Sequence, residues 1–291
     1  MEYTIKNERL ALTVSSLGGE PKRIISSSNT DYLYRGNKDY WPGSAPHLFP
    51  FIGRLFENKY TYNGIVYPLS IHGFLKDSEM SLETQTDNTL VFSLSANEAT
   101  KACYPFQFKL KIGYLLEDNR VTIGYTVINE DEKVLPFAIG GHPGFIVPLE
   151  DNLIFEDYYL EFSCECSPKR AMPTTSNLLT GEYIDYPLTD GRILPLNHDL
   201  FDQDAIILGD VAPAVTLKSN KGKKAVKVEY DGFNFLGIWH TVKSDAPFVC
   251  IEPWTALQGY VDKVVDIENH DDIMLLAKDE VFTGEIVITI I

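Results

Sequence analysis

Alternation of apolar and polar positions with a period of two dominates the chain, which places successive side chains on opposite faces of a sheet. Phe106, Phe108, Leu110, Ile112 and Tyr114 alternate with Gln107, Lys109 and Lys111. Glu117-Asp118-Asn119-Arg120 then predicts a turn, and Val121, Ile123, Tyr125 and Val127 resume the alternation. This is a hairpin with one wetter face. The same period recurs in Leu10–Val14, in Val226, Val228 and Tyr230, and in Ile286, Ile288 and Ile290. Helical periodicity is scarce; the best segment is Asn97–Tyr104, where Asn97 is a natural cap and Pro105 a stop. Gly and Pro fall as punctuation between strands, as in Asn63-Gly64 and Asp231-Gly232, with no linker and no internal repeat. The expected fold is all-β, one domain over 1–291, built as two packed antiparallel sheets.

Composition narrows the partners. The chain of 291 residues carries 25 Lys+Arg against 41 Asp+Glu, a formal charge of −16. Nucleic-acid and anionic-membrane binding both need a basic face, so neither is expected, and a neutral small molecule is the more natural ligand. The N-terminal residues have no basic and apolar signal pattern, and no run approaches a membrane span, which predicts a cytoplasmic protein. Cys103, Cys164, Cys166 and Cys250 form no CxxC pair and are expected as free thiols. The acidic runs 129–132 and 268–272 lack calcium-loop spacing and read as solvated turns.

Large enzyme classes lack their parts: GxGxxG after a strand, GxxxxGK[ST], GxSxG and HExxH are all missing. Four segments instead set ionisable residues among Gly, Pro and aromatics. They are Phe49–Arg54, Ile71–Phe74, Gly140–Phe145 and Cys250–Trp254. Singly, each His or Glu has an ordinary structural explanation. Together they supply an acid and a base. His142 is held between Gly-Gly and Pro-Gly, and Glu252 ends the apolar run Phe248–Ile251, where desolvation raises a carboxyl pKa toward a useful base. Trp254, Trp239, Phe74 and Phe145 are candidate faces for a pyranose ring, although core packing competes for Trp239 and Phe145. Arg54, among Phe51, Ile52, Leu55 and Phe56, calls for a partner or a substrate.

These motifs, with Trp41-Pro42, Ala45-Pro46-His47-Leu48 and Pro136–Ile139, resemble the aldose 1-epimerases, or galactose mutarotases, and especially their smaller LacX-type bacterial relatives. The resemblance covers nearly the whole chain and implies a β-supersandwich. It implies that Glu252 is the general base and His142, as imidazolium, the general acid. It assigns substrate binding to His72, Arg54 and, by a Phe-Asp motif, Asp202, with Asp204 competing. The implied reaction interconverts the α and β anomers of a hexose such as galactose or glucose by ring opening and reclosure, with no cofactor or metal. His47 departs from the family's usual apolar residue. Three other readings stay open. A hexose-6-phosphate 1-epimerase would need more cations than Arg54 within the motifs. A facial metal triad lacks its local HxD/E pairing. A non-catalytic carbohydrate-binding protein would have no use for both His142 and Glu252.

Overall fold

The computed structural model describes residues Met1–Ile291. The predicted hairpin is formed by Phe108–Glu117 and Arg120–Asn129, paired from Arg120↔Glu117 through Gly124↔Gly113. Its alternate residues are buried and the others half-buried, so the period-two pattern sets the register. This hairpin lies inside a nine-stranded sheet, flanked by Val281–Ile290 on one side and Thr89–Ser95 on the other. The other predicted strands form as Leu10–Ser15 and Val226–Glu229. Asn63 and Gly64 both have positive φ, which closes the two-residue hairpin between Lys59–Tyr62 and Ile65–Pro68. The short helix runs Glu98–Cys103. Asn97 accepts from the Ala99 and Thr100 N–H groups, and the Thr100 hydroxyl accepts from the Asn97 N–H.

A second sheet carries the motifs. Its path runs Leu179–Asp185, Lys169–Pro173, Ile206–Gly209, Phe235–Trp239, Phe248–Trp254, Gly140–Gly141 and His47–Leu48, with Gly144–Ile146 also paired to Phe248–Trp254. Pairing in both sheets is antiparallel, so the protein is an all-β antiparallel sandwich. The inner faces meet in a core of 63 buried residues that includes Leu110, Ile123 and Ile288 from the first sheet and Ile238, Val249 and Ile251 from the second. The sheets approach closely at Gly141, where an added Cβ would lie 3.0 Å from the Ile286 side chain.

Every residue of Phe248–Trp254 is buried, which makes it a central strand covered on both faces. Val249 and Ile251 face the sandwich core, while Cys250, Glu252 and Trp254 face the other way. The outward face therefore has its own covering layer of loops, and His142 and Glu252 lie buried beneath it. All four cysteines are free thiols, with Cys250 buried. The acidic run after Ile128 is a turn held by its own side chains: Asn129 donates to the Lys133 and Leu276 carbonyls, and Asp131 accepts from the Gln107 N–H. No helix is long and apolar enough to cross a membrane.

Candidate active site

Strand register brings His142 and Glu252 together. Gly144 pairs with Cys250 and Gly140 with Trp254, so His142, midway between the two glycines, stands opposite Glu252. The His142 Nε2 to Glu252 Oε2 distance is 3.2 Å, with side-chain exposures of 9% and 2%. Burial raises the Glu252 carboxyl well above its ordinary range, and the nearby Asp204 carboxylate adds to the shift. The Trp254 indole N–H partly offsets this, although its geometry falls short of a hydrogen bond. Burial also pulls His142 down to about 3. The desolvated site thus favours a net-neutral pair, a carboxyl beside a neutral imidazole, over a resting imidazolium.

Aromatic packing fixes the imidazole. Trp41 stacks on His142 with centroids 4.8 Å apart, and Trp239 meets it edge-on at 5.7 Å. The Trp254 ring lies over Gly237, the residue paired with Glu252; a Cβ there would be 2.7 Å from its Cζ2. Three indoles therefore border one cavity of about 290 Å³, together with His142, Glu252, His72, Arg54 and Asp204. That volume lies near the low end of small-molecule sites, in keeping with a single small ligand. A larger open groove of about 740 Å³ beside Lys169, Tyr183 and Asp231 holds no comparable acid–base pair.

His72 reaches the cavity through a clamp between two loops. Its backbone N–H donates to the Gly53 carbonyl at 2.9 Å, and its ring Nδ1 accepts from the Gly53 N–H at 3.1 Å. An accepting Nδ1 places the ring proton on Nε2. Burial, the neighbouring His142, and the Lys76 and Arg54 cations all hold the His72 pKa well below its ordinary value, so His72 is a neutral donor. Gly73 makes the clamp possible: its φ is +73° and a Cβ would lie 2.1 Å from the Phe49 carbonyl oxygen. Gly73→Ala is expected to destabilise the protein by about 2–4 kcal/mol, from left-handed strain plus the backbone clash, measured by denaturant unfolding.

The structure gathers His142, Glu252, His72, Arg54 and Trp254 around this cavity. Asp202 lies elsewhere: it is exposed and borders a separate depression with Thr174 and Lys243, whereas Asp204 borders both. The Phe-Asp match thus falls on a residue that does not border this cavity: Phe201 ends a 3₁₀ turn, Asp202 follows it exposed, and Asp204, at φ +72°, borders the cavity. Arg54 is also more open than its apolar sequence neighbours suggest. It is exposed at the mouth of the cavity, because Gly53 at φ +67° turns the chain there. Trp239 borders the cavity, while Phe145 is fully buried and Phe74 packs on Phe49 and Phe108.

His47 does not line this cavity. It is buried between two tyrosines, with Nδ1 2.8 Å from Tyr125 Oη and Nε2 2.6 Å from Tyr114 Oη. Tyr114 donates its own proton to the Gly19 carbonyl, so His47 Nε2–H donates to Tyr114 and Nδ1 accepts from Tyr125. Trp41, quoted with Pro42 in the resemblance but given no role there, lines the cavity, as do Lys76, Asn177 and Gln258, which the sequence did not single out. Trp41, beside Pro42 and Gly43, meets the same Gly/Pro criterion as the four motifs. The others carry no local signal. Gln258 is placed by donating its amide to Asn177, 81 residues away, at 3.0 Å.

Known proteins share both sequence and architecture. Protein LacX (plasmid) of Lactococcus lactis subsp. lactis is 34% identical over 272 residues, covering 90% of each chain. The galactose mutarotase related enzyme from Lactobacillus acidophilus superimposes with a TM-score of 0.94 at 30% identity, over 100% of this chain and 97% of that one. A galactose mutarotase-like protein from Lactobacillus casei ATCC 334 gives 0.94 at 28% identity, with 100% of both chains covered. The sequence profile described as aldose 1-epimerase matches residues 1–288. With His142 and Glu252 in contact beside three indoles on the outer face of a β-sandwich, and that match from end to end, the chain belongs to the aldose 1-epimerase family of isomerases.

Proposed function

We propose that this cavity opens and recloses the ring of a neutral aldohexose, exchanging its α and β anomers. The observation that carries the reading is the buried His142–Glu252 contact at 3.2 Å beside indole walls. Glu252 as carboxylate takes the proton of the anomeric hydroxyl while protonated His142 gives one to the ring oxygen, so the C1–O5 bond breaks and an aldehyde forms. Rotation about C1–C2 presents the other carbonyl face, and the reversed transfers close the ring. Ring opening converts carboxylate plus imidazolium into carboxyl plus imidazole. The ionised form is the less stable isomer of the same net-neutral pair, so burial costs in populating it what it returns as the ring opens. The Nε2–H of His72 and the Arg54 guanidinium are placed to stabilise charge on sugar oxygens, and Asp204, rather than Asp202, is placed to accept from hydroxyls.

The charge balance supports a neutral sugar. Lys76 adds a second cation beside Arg54, but its ammonium is paired with Asp77, and Asp204 brings a carboxylate into the same space. The Lactobacillus acidophilus relative is described as a galactose mutarotase related enzyme, which makes galactose the first sugar to test. Freshly dissolved pure anomers of galactose and glucose, each with its 6-phosphate, should equilibrate faster than in buffer for the free sugars. A preference for the phosphates would overturn this choice of substrate, and binding without acceleration would indicate a sugar-binding protein.

The pair also predicts a pH profile. Adding a proton to the net-neutral pair creates a buried cation, which burial opposes, so the acid limb falls below the ordinary histidine range. Removing a proton creates a buried anion, so the alkaline limb rises above the ordinary carboxylate range. The expected kcat/KM is flat through neutral pH. An acid limb near the ordinary histidine value of about 6.5 would contradict it.

A further inference from the structure

Cys250 is a buried thiol on the catalytic face that ring opening does not use. It stands two residues before Glu252 on one strand, so the two side chains share a face, and its backbone pairs with Gly144, two residues after His142. The potential ligand atoms of His142, Cys250 and Glu252 lie within 4.8 Å of one another, and all three residues are buried. His142 Nδ1 is buried with no hydrogen-bond partner, so the imidazole keeps one uncommitted nitrogen. Thiolate, imidazole and carboxylate form a borderline-soft donor set suited to Zn²⁺, which takes three such protein ligands and leaves a fourth position for water. Bonds of about 2.0–2.3 Å in a tetrahedral arrangement separate ligand atoms by about 3.3–3.8 Å, so the three donors need to close by only about 1 Å.

We propose that His142, Cys250 and Glu252 form a binding site for a Zn²⁺-class ion whose occupancy inhibits the enzyme. Binding releases the thiol proton and the one proton held by the His142–Glu252 pair, whether on the carboxyl or on the imidazole, to solvent, with no change of oxidation state. The ion then holds the lone pairs that Glu252 and His142 need for proton transfer. It is an inhibitor here and not a cofactor of ring opening. The inhibition rests on the acid–base roles proposed above; the site itself does not.

Metal-free protein titrated with Co²⁺ tests the site without reference to activity. The expected result is a thiolate-to-cobalt charge-transfer band that saturates at one equivalent, is displaced by Zn²⁺, and is lost in both Cys250→Ala and Cys250→Ser. In parallel, Cys250→Ala should retain turnover and need at least about tenfold more Zn²⁺ for half-inhibition, as expected on losing a metal-site contact. No band in the unmodified protein, or a band that survives Cys250→Ala, overturns the proposal. A Cys250-dependent band without loss of turnover upholds the site and contradicts the roles given to Glu252 and His142.

Discussion

Glu252→Gln is expected to slow anomer exchange by about 100-fold to 10,000-fold, the usual worth of a positioned proton-transfer group. The amide matches the carboxylate in shape but cannot accept the hydroxyl proton, so the loss should fall on kcat with KM little changed. Stability should hold, because the substitution removes a buried ionisable group whose charged form burial already opposes. Exchange followed by polarimetry, with unfolding measured on the same preparation, checks both parts. A variant with unchanged kcat would remove Glu252 from the mechanism.

His142→Asn should cost a similar factor, for the complementary reason that the ring oxygen loses its proton donor. The indole stacking partner at 4.8 Å is also lost, so a modest rise in KM should accompany the fall in kcat. In the proposed mechanism the two residues serve one concerted exchange, so their losses should not multiply. The double variant is expected to sit close to the slower single variant. Fully multiplicative losses would mean that the two groups serve separate steps.

The parts of this site that were legible in the sequence are those fixed by local chain chemistry. Phe248-Val249-Cys250-Ile251 reads as a strand buried on both faces, so a glutamate following it had to be desolvated, and Glu252 is 1% exposed. Gly-Gly and Pro-Gly around His142 marked a rigid segment, and the Asn97 cap was readable because capping is a local hydrogen-bond problem. What escaped depends on distant chain meeting distant chain. Nothing near His47 predicts tyrosine partners 67 and 78 residues away. The choice between Asp202 and Asp204 turns on a backbone reversal at Asp204 that composition does not encode. Asn177 and Gln258 meet only because the Leu179 N–H donates to the Gly259 carbonyl, a contact between loops. Period-two patterning also left undecided which sheet face carries the chemistry, and that depends on the loops that cover it.

Anomer exchange in this cavity is proposed to run by proton transfer between Glu252, His142 and a sugar ring. It is tested most directly by dissolving pure α-galactose with the unmodified protein, with the Glu252→Gln, His142→Asn double variant, or with buffer alone, and following the anomeric signals by NMR. Equilibration well ahead of buffer is expected with the unmodified protein, and a double variant slowed by about 100-fold or more toward the buffer rate. Equal acceleration by both proteins, or none by either for any aldose tried, would contradict it.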